Sequence, residues 1–164
     1  MTGTSGLPRM ISRADHLAFS TAFLEVDNGY VARPNAPPAN ADEVDRAGVK
    51  IAVAQGSAPH TVLRRLIKNA QILPVPGGFE PARGASNRSG VYGENLHLAH
   101  RIADALPGAR VLPGRFSGVQ MAIGVRKRAQ SVLPQVDQFV HKIRSDGTVQ
   151  KAITEAGLRG VRVP

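Results

Sequence analysis

Apolar and polar residues follow one another along the chain in a pattern that predicts strands alternating with amphipathic helices. The apolar run at 49–54 is typical of a strand buried on both faces, because such a strand needs no polar side. Directly after it, 61–69 carries apolar residues at helical spacing along one face. The same reasoning predicts further strands at 23–31, 71–75, 109–112 and 119–125, and further helices at 95–106, 131–144 and 148–156.

Strands that alternate with helices predict an α/β fold with mostly parallel strands. Two segments fall outside this pattern. Residues 33–40 contain three prolines and predict an extended surface connection. Residues 76–90 are rich in Gly, Pro, Ser, Asn and Arg, and we expect them to be the least structured part of the chain, because Pro81 and Gly84 weaken any helix there.

The composition of the 164 residues is that of a globular protein, long enough for one domain or for two small lobes. No apolar run approaches the roughly 18 residues that span a bilayer. The absence of cysteine excludes a disulfide scaffold, a thiolate metal site and a cysteine nucleophile. A formal charge of +9 raises nucleic-acid binding as a hypothesis, but the basic residues are scattered and aromatic residues make up only 4% of the chain. We therefore favour a basic solvated surface and expect no nucleic-acid partner.

The turn at Gln55-Gly56-Ser57 joins the buried strand to the next helix. A strand that enters a helix through such a turn directs backbone N–H groups at whatever lies above the edge of the sheet, which predicts a place for a carboxylate or another anion. The alternative is a plain connection in which Ser57 caps the helix. Both roles are compatible.

Several motifs occur in the order of a known family: AVAQGS before a helix, then GVYGEN, then LPGARVLPGRFSGVQMAIGVRK, and finally SDGTVQKAI. This order resembles the amino-acid type of periplasmic solute-binding proteins of ABC importers, the bacterial extracellular solute-binding protein family 3. The resemblance covers about residues 6–160 and implies an α/β fold of the periplasmic-binding-protein type II kind. It implies one nearly complete lobe and part of a second, with roughly the N-terminal third of a family member lacking.

The resemblance also predicts how the chain is divided. Residues 1–29 would be a remnant of lobe 1 with the first hinge strand, and residues 30–120 would be lobe 2. Residues 121–164 would be the returning hinge and the C-terminal helices of lobe 1. The hinge-like segments would be 22–24 and 119–123.

For lobe 1, the resemblance implies that Arg13 grips the ligand α-carboxylate with a two-pronged hydrogen bond, which suits a planar guanidinium. Gly6 stands at the family's glycine position seven residues earlier. Pro8 replaces the family's hydroxyl residue, so one ligand contact would be missing. The alternative is that Arg13 is an ordinary surface arginine.

For lobe 2, the resemblance implies that Gln55, Gly56, Ser57 and Ala58 donate hydrogen bonds to the ligand carboxylate. Glu94 stands where the family has the aspartate that pairs with the ligand ammonium, and a buried ammonium needs such a charged acceptor. The alternative for Glu94 is an acid favoured by the N-terminal end of a helix dipole.

The function implied is binding of an amino acid or related carboxylate in a cleft between the lobes, for import through a permease of the ABC type, in the periplasm. We expect no catalysis, no cofactor and no metal; a row of Glu94, His97 and His100 lacks the usual zinc-site spacing. The alternatives are a structural remnant that binds nothing or a fragment that forms a homodimer. An enzyme resembling the fold's dehydratases and a nucleic-acid-binding protein are less favoured.

Overall fold

The computed structural model describes residues 15–164, with the backbone alone at 83 and 86–89. Its strands form one sheet with the order β3-β2-β4-β1-β5, and β6 and β7 also pair with β1. Within the described residues the strands are β1 (Leu17–Ala32), β2 (Lys50–Ala54), β3 (Gln71–Val75), β4 (Gly90–Asn95), β5 (Arg110–Val111), β6 (Ser117–Arg126) and β7 (Val161–Arg162). Strand β2 runs parallel to β3 and β4, whereas β1 is antiparallel to all its partners.

Among residues 17–164 the α-helices are α1 (Ala58–Leu66), α2 (Phe79–Ser89), α3 (Leu96–Ala105), α4 (Leu133–Ser145) and α5 (Thr148–Glu155). Short 3-10 helices lie at Ala41–Glu43 and Lys127–Val132. No helix within residues 15–164 is both long and apolar enough to cross a membrane. The α/β class expected from the sequence is confirmed, but the expectation of mostly parallel strands is wrong, because β1 pairs antiparallel with β4, β5, β6 and β7.

Residues 30–116, called the lobe below, have a sheet that is buried on both faces. One face packs against α1 and the 36–44 connection through Tyr30, Ile51, Val53, Leu63 and Val91. Alternate strand residues point to opposite faces, so the neighbours of these residues along the strands belong to the other face. This explains why 49–54 is apolar almost throughout.

The opposite face of the lobe packs against α2 and α3. Its buried residues include Val31, Ala52, Tyr92, Ala99 and Ile102. With helices on both faces, β2 and β4 are interior strands, and their carboxyl ends open at one edge of the sheet. That edge is where loops and ligands meet in open α/β sheets.

Residues 17–28 of β1 and all of β6 form a second region, called the ribbon below. They pair antiparallel from Leu17 with Arg126 to Asn28 with Ser117, and the register shifts twice, between Phe19 and Ala22 and between Ala22 and Leu24. The two segments predicted as hinge strands therefore lie side by side. Helix α4 packs on the ribbon, where Asp137 Oδ1 accepts a hydrogen bond from the backbone N–H of Thr21 at 2.7 Å.

The expectation that 76–90 is the least structured segment is wrong, because this part of the chain forms α2. Pro81 is the third residue of the helix. N–H groups in the first turn have no intrahelical partner, so the N–H group that proline lacks costs little there. Ala82 and Ala85 are buried and pack against the sheet. Because these two side chains are small, the helix lies close to the strands.

Two further observations concern the strands. The sequence pattern did not predict β4, whose two glycines and one glutamate are unusual in a strand. The strand predicted at 23–31 lies inside β1, and the turn-like sequence Asp27-Asn28-Gly29 does not interrupt it. A Cβ atom on Gly29 would lie 2.4 Å from Leu96 Cδ2, so a larger residue there would force the Leu96 side chain to move.

Candidate functional site

A pocket of about 340 Å³ lies where the lobe meets the ribbon. On the lobe side it is lined by residues that follow β2 and β4: Ala58 and Pro59 in the first turn of α1, and Glu94 and Asn95 at the end of β4. Because β2 and β4 are parallel neighbours, their carboxyl ends bring these residues to the same edge of the sheet. A pocket of this size is in the range of small-molecule sites.

The ribbon supplies an apolar wall. Leu24 and Val26 come from β1, and Val119 and Met121 come from β6. Each pair is two residues apart, so both side chains of a pair lie on the same face of their strand. The segment after α5 adds Leu158 and Val161. The pocket therefore has one largely apolar side and one polar side.

Glu94 is the charged residue of the polar side, and only 8% of it is exposed. Its Oε1 accepts hydrogen bonds from the backbone N–H of Asn95 at 2.9 Å and from Asn95 Nδ2 at 3.0 Å. Among the described residues, none donates a hydrogen bond to Oε2. Burial raises the pKa of the Glu94 carboxyl, although the two hydrogen bonds from Asn95 act in the opposite direction. A buried carboxylate with one unbonded oxygen is a site for a cation.

Asn95 holds Glu94 in place. The Asn95 side chain caps α3, where its Oδ1 accepts a hydrogen bond from the backbone N–H of Leu98 at 2.9 Å. Its Nδ2 donates to Glu94 at the same time. Because the cap fixes Asn95, the carboxylate that it binds is fixed as well. Glu94 also lies next to the N-terminus of a helix, so the alternative interpretation from the sequence is compatible with a pocket role.

Three polar residues of the pocket, Asn28, Asn95 and His97, were not among the predicted site residues. Asn28 is 1% exposed, lies opposite Asn95 in the register, and donates through Nδ2 to Ser117 Oγ at 2.9 Å. His97 also lines the pocket, and its Nδ1 is buried without a hydrogen-bond partner in the part of the chain that is described. Asn28 stands in a sequence typical of a turn, and only the pairing of β1 with both β4 and β6 reveals its position.

The turn at residues 55–57 has little left to offer an anion. The backbone N–H of Gln55 donates to Val75 O at 2.8 Å, that of Gly56 to His60 Nδ1 at 3.0 Å, and that of Ser57 to Ala54 O at 3.2 Å. The expectation of free N–H groups is therefore wrong for these three residues. Ser57 Oγ accepts from the backbone N–H of His60, which confirms its role as helix cap. A ligand-binding role for the turn stays a prediction.

The residues predicted as a site fall into three groups. Glu94 and Ala58 line the pocket together. Gln55, Gly56 and Ser57 lie in the adjacent turn and are not among its lining residues. Arg13 and Gly6 lie outside the described residues, so their roles also stay predictions. Across 15–164, no group of three or more His, Asp or Glu side chains is placed to hold a metal ion.

Comparison with known proteins gives matches among solved structures. No protein-family model and no curated protein matches the chain. The solute receptor for L-cysteine of Neisseria gonorrhoeae has a TM-score of 0.70 at 18% identity, with 88% of this chain and 58% of that chain covered. An amino acid ABC transporter substrate-binding protein of Streptococcus pneumoniae, bound to L-arginine, has a TM-score of 0.71 at 18% identity, with 93% and 65% covered.

A third similar structure is an ancestral amino acid-binding protein described as a precursor of cyclohexadienyl dehydratase. It has a TM-score of 0.70 at 19% identity, with 92% of this chain and 66% of that chain covered. At such identities the similarity establishes the fold, and the type II periplasmic-binding-protein fold expected from the sequence is confirmed. The chain spans about 58–66% of the length of these three structures.

Proposed function

We propose that this chain binds a small solute bearing an ammonium group in the pocket between the lobe and the ribbon. The observation that carries this proposal is the state of Glu94: a carboxylate that is 8% exposed, with Oε1 held by Asn95 and Oε2 unbonded within the described residues. Burying a charge without a partner is costly, so such an arrangement is expected where a ligand supplies the missing cation. Amino acids are the first candidates, because the similar structures are described as receptors or binding proteins for them.

The proposal extends to the division of the chain. Residues 30–120 would act as one lobe, and 1–29 and 121–164 would belong to a second, with the ribbon as the hinge between them. A ligand that touches both sides stabilises the closed form, because only the closed form offers all its contacts. Glu94 on the lobe and Leu24 and Met121 on the ribbon are the contacts that would be shared.

The setting follows from the same reasoning. One of the similar structures is described as an amino acid ABC transporter substrate-binding protein. We propose that this chain serves the import of its solute in the periplasm, with a permease as partner, and that it catalyses no reaction. An acid-base mechanism of the dehydratase kind would need a second polarised group beside Glu94. Within the described residues, the polar groups that line the pocket beside Glu94 are the amides of Asn28 and Asn95 and the imidazole of His97, and His97 is the one of them suited to such a role.

The test is a thermal-shift and calorimetric screen of the purified chain against the amino acids. A ligand that binds only the folded state raises the melting temperature by mass action. We expect at least one amino acid or amine to raise it, and Glu94→Gln to remove the effect. Glu155→Gln is the matched control, because Glu155 is an exposed residue of α5 whose side chain is 67% accessible.

The outcome that contradicts the proposal is an unchanged melting temperature with every ligand. A dimer in solution, without ligand response, would instead favour the alternative of a self-associating fragment. The exposed side chains of Phe19, Met121 and Phe139 on the ribbon and α4 are the observation behind that alternative.

A further inference from the structure

The charges around the pocket are unbalanced. Four polar residues line it: Asn28, Glu94, Asn95 and His97. The rest of its lining is apolar, and no lysine or arginine contributes within the described residues. Nearby arginines are committed elsewhere, since Arg115 and Arg162 bind Glu25 and Asp27. Within residues 15–164, the pocket lining therefore contains one carboxyl group and no lysine or arginine.

The backbone offers little in place of a cation, because of the N–H groups at residues 55–60 only that of Ala58 has no acceptor among the described residues. The three N–H groups of the turn at residues 55–57 are used within the chain, and Pro59, in the first turn of α1, has no N–H to donate. The backbone N–H of His60 donates to Ser57 Oγ. A ligand carboxylate entering here would lie beside Glu94 with few donors to compensate it, and like charges that share a desolvated site disfavour each other strongly.

We infer that the pocket takes organic monoamines, with one ammonium on an aliphatic body and no carboxylate, in preference to the corresponding amino acids. The inference rests on the proposed function and narrows its ligand class. The ammonium would bind Glu94 Oε2. Asn28, whose Nδ2 is committed to Ser117, has its amide oxygen to offer as a further acceptor. The aliphatic body would lie along Leu24, Val26 and Val119, where burial of apolar surface favours binding.

A set of ligands that share one aliphatic body tests the inference. Isoamylamine is leucine without the carboxylate, isocaproate is leucine without the ammonium, and leucinamide has the bulk of leucine without its negative charge. By calorimetry at neutral pH, we expect isoamylamine and leucinamide to bind with similar affinity and leucine at least about tenfold more weakly. We expect no binding of isocaproate.

Variants of the full chain assign the effect. Glu94→Gln should abolish amine binding, and Glu155→Gln should leave it unchanged. The affinity of the unmodified chain for isoamylamine should also fall as the pH is lowered and Glu94 becomes protonated. Isobutylamine with valine gives the same comparison for a smaller aliphatic body.

Each result has a distinct meaning. Leucine binding as tightly as isoamylamine would overturn the amine preference and leave the proposed function standing. If Arg13→Gln then removed leucine binding, Arg13 would be the carboxylate anchor implied by the family resemblance. Failure of both amines and amino acids to bind would overturn the proposed function itself. Equal loss of binding in Glu94→Gln and Glu155→Gln would show that the effect does not depend on the pocket carboxylate.

Discussion

Strand β1 passes through two regions of the molecule, and its two halves have different environments. In the lobe, Tyr30, Val31 and Ala32 are at most 2% exposed. In the ribbon, Phe19 of the same strand is 47% exposed. The lobe half of β1 lies between β4 and β5 and has helices on both faces. The ribbon half, at its N-terminal end, pairs with β6 among the described residues. The difference lies in the neighbours, since both halves are rich in apolar residues.

The comparison shows which part of the chain carries its own core. The lobe buries most of its apolar residues within itself, although Leu66 is 48% exposed. The ribbon and α4 leave Met121 45% and Phe139 55% exposed, although α4 buries Val140 completely. We therefore expect the stability of the chain to come from the lobe, and the ribbon to tolerate change. The pocket lies at the junction between the lobe and a region whose apolar side chains are more exposed.

The largest expected effect is the difference between two aromatic residues of β1 in how much their loss lowers the free energy of unfolding. Tyr30→Ala should lower the free energy of unfolding by about 3–5 kcal/mol, because it leaves a cavity in a closed core and removes the contact with Phe116, whose ring centroid lies 4.8 Å away. Phe19→Ala should cost about 1 kcal/mol or less, since nearly half of this residue is already exposed. Urea denaturation followed by circular dichroism measures both. Equal costs would mean that the ribbon is as well packed as the lobe.

A glycine in each region gives a second, smaller comparison. A Cβ atom on Gly93 in β4 would lie 2.7 Å from Leu63 Cδ1 and 3.6 Å from Tyr30 Cε1. Leu63 is fully buried and has no space to move into, so Gly93→Ala should cost about 1–3 kcal/mol.

The matched substitution in the ribbon is Gly124→Ala. Its Cβ would lie 3.2 Å from Phe19 Cε1 and 3.4 Å from Leu17 Cδ1. Phe19 can turn toward solvent, and alanine is favoured over glycine in a strand, so the unfolding free energy should stay the same or rise by up to about 1 kcal/mol. Thermal melts of the two variants side by side make the comparison. A greater loss for Gly124→Ala than for Gly93→Ala would contradict it.

The sequence predicts the elements whose apolar pattern follows a simple period. Strand β3 has the predicted bounds, and β2, α1, α3 and α5 begin and end within a few residues of theirs. The misses have a common physical cause. Helix α2 is buried through Ala82 and Ala85, and β4 accommodates Gly93 because Leu63 approaches it closely. Where two elements pack tightly, small residues are selected, and small residues leave little hydrophobic signal in a sequence.

The pocket was only partly predictable for a related reason. Ala58 follows β2, a strand that the sequence predicts, whereas Glu94 ends β4, which the apolar pattern did not predict, so only the family resemblance pointed to Glu94. Asn28 and the apolar wall depend on how β1 pairs with β4 and with β6, which no local pattern encodes. The donors of the 55–57 turn were overestimated because His60, one helical turn later, accepts from Gly56.

The smallest expected effect compares two carboxylates whose pKa values are lowered for different reasons. Asp45 in the lobe accepts hydrogen bonds from the backbone N–H groups of Ala70, Asn69 and Lys68, which lower the pKa of its carboxyl. Burial alone would raise the pKa of Asp27 in the ribbon, but hydrogen bonds and the charges of Arg115 and Arg162 outweigh it. Asp45→Ala should cost about 1–2 kcal/mol at neutral pH, and Asp27→Ala about 1 kcal/mol or less, because its arginine partners are half exposed.

Because both folded-state pKa values lie below those of the unfolded chain, each carboxylate stabilises the fold above the unfolded pKa of about 4, and this contribution disappears as the pH falls through the folded pKa. The difference between the unmodified chain and either variant should therefore shrink in acid. Salt separates the two cases. At about 1 M salt, with a screening length of about 3 Å, the cost of Asp27→Ala should fall, whereas that of Asp45→Ala should persist, since it reflects short hydrogen bonds to the backbone. If the cost of Asp27→Ala did not change with salt, the ion pairs of Asp27 would be shielded from solvent. That result would contradict the view that the ribbon is less enclosed than the lobe.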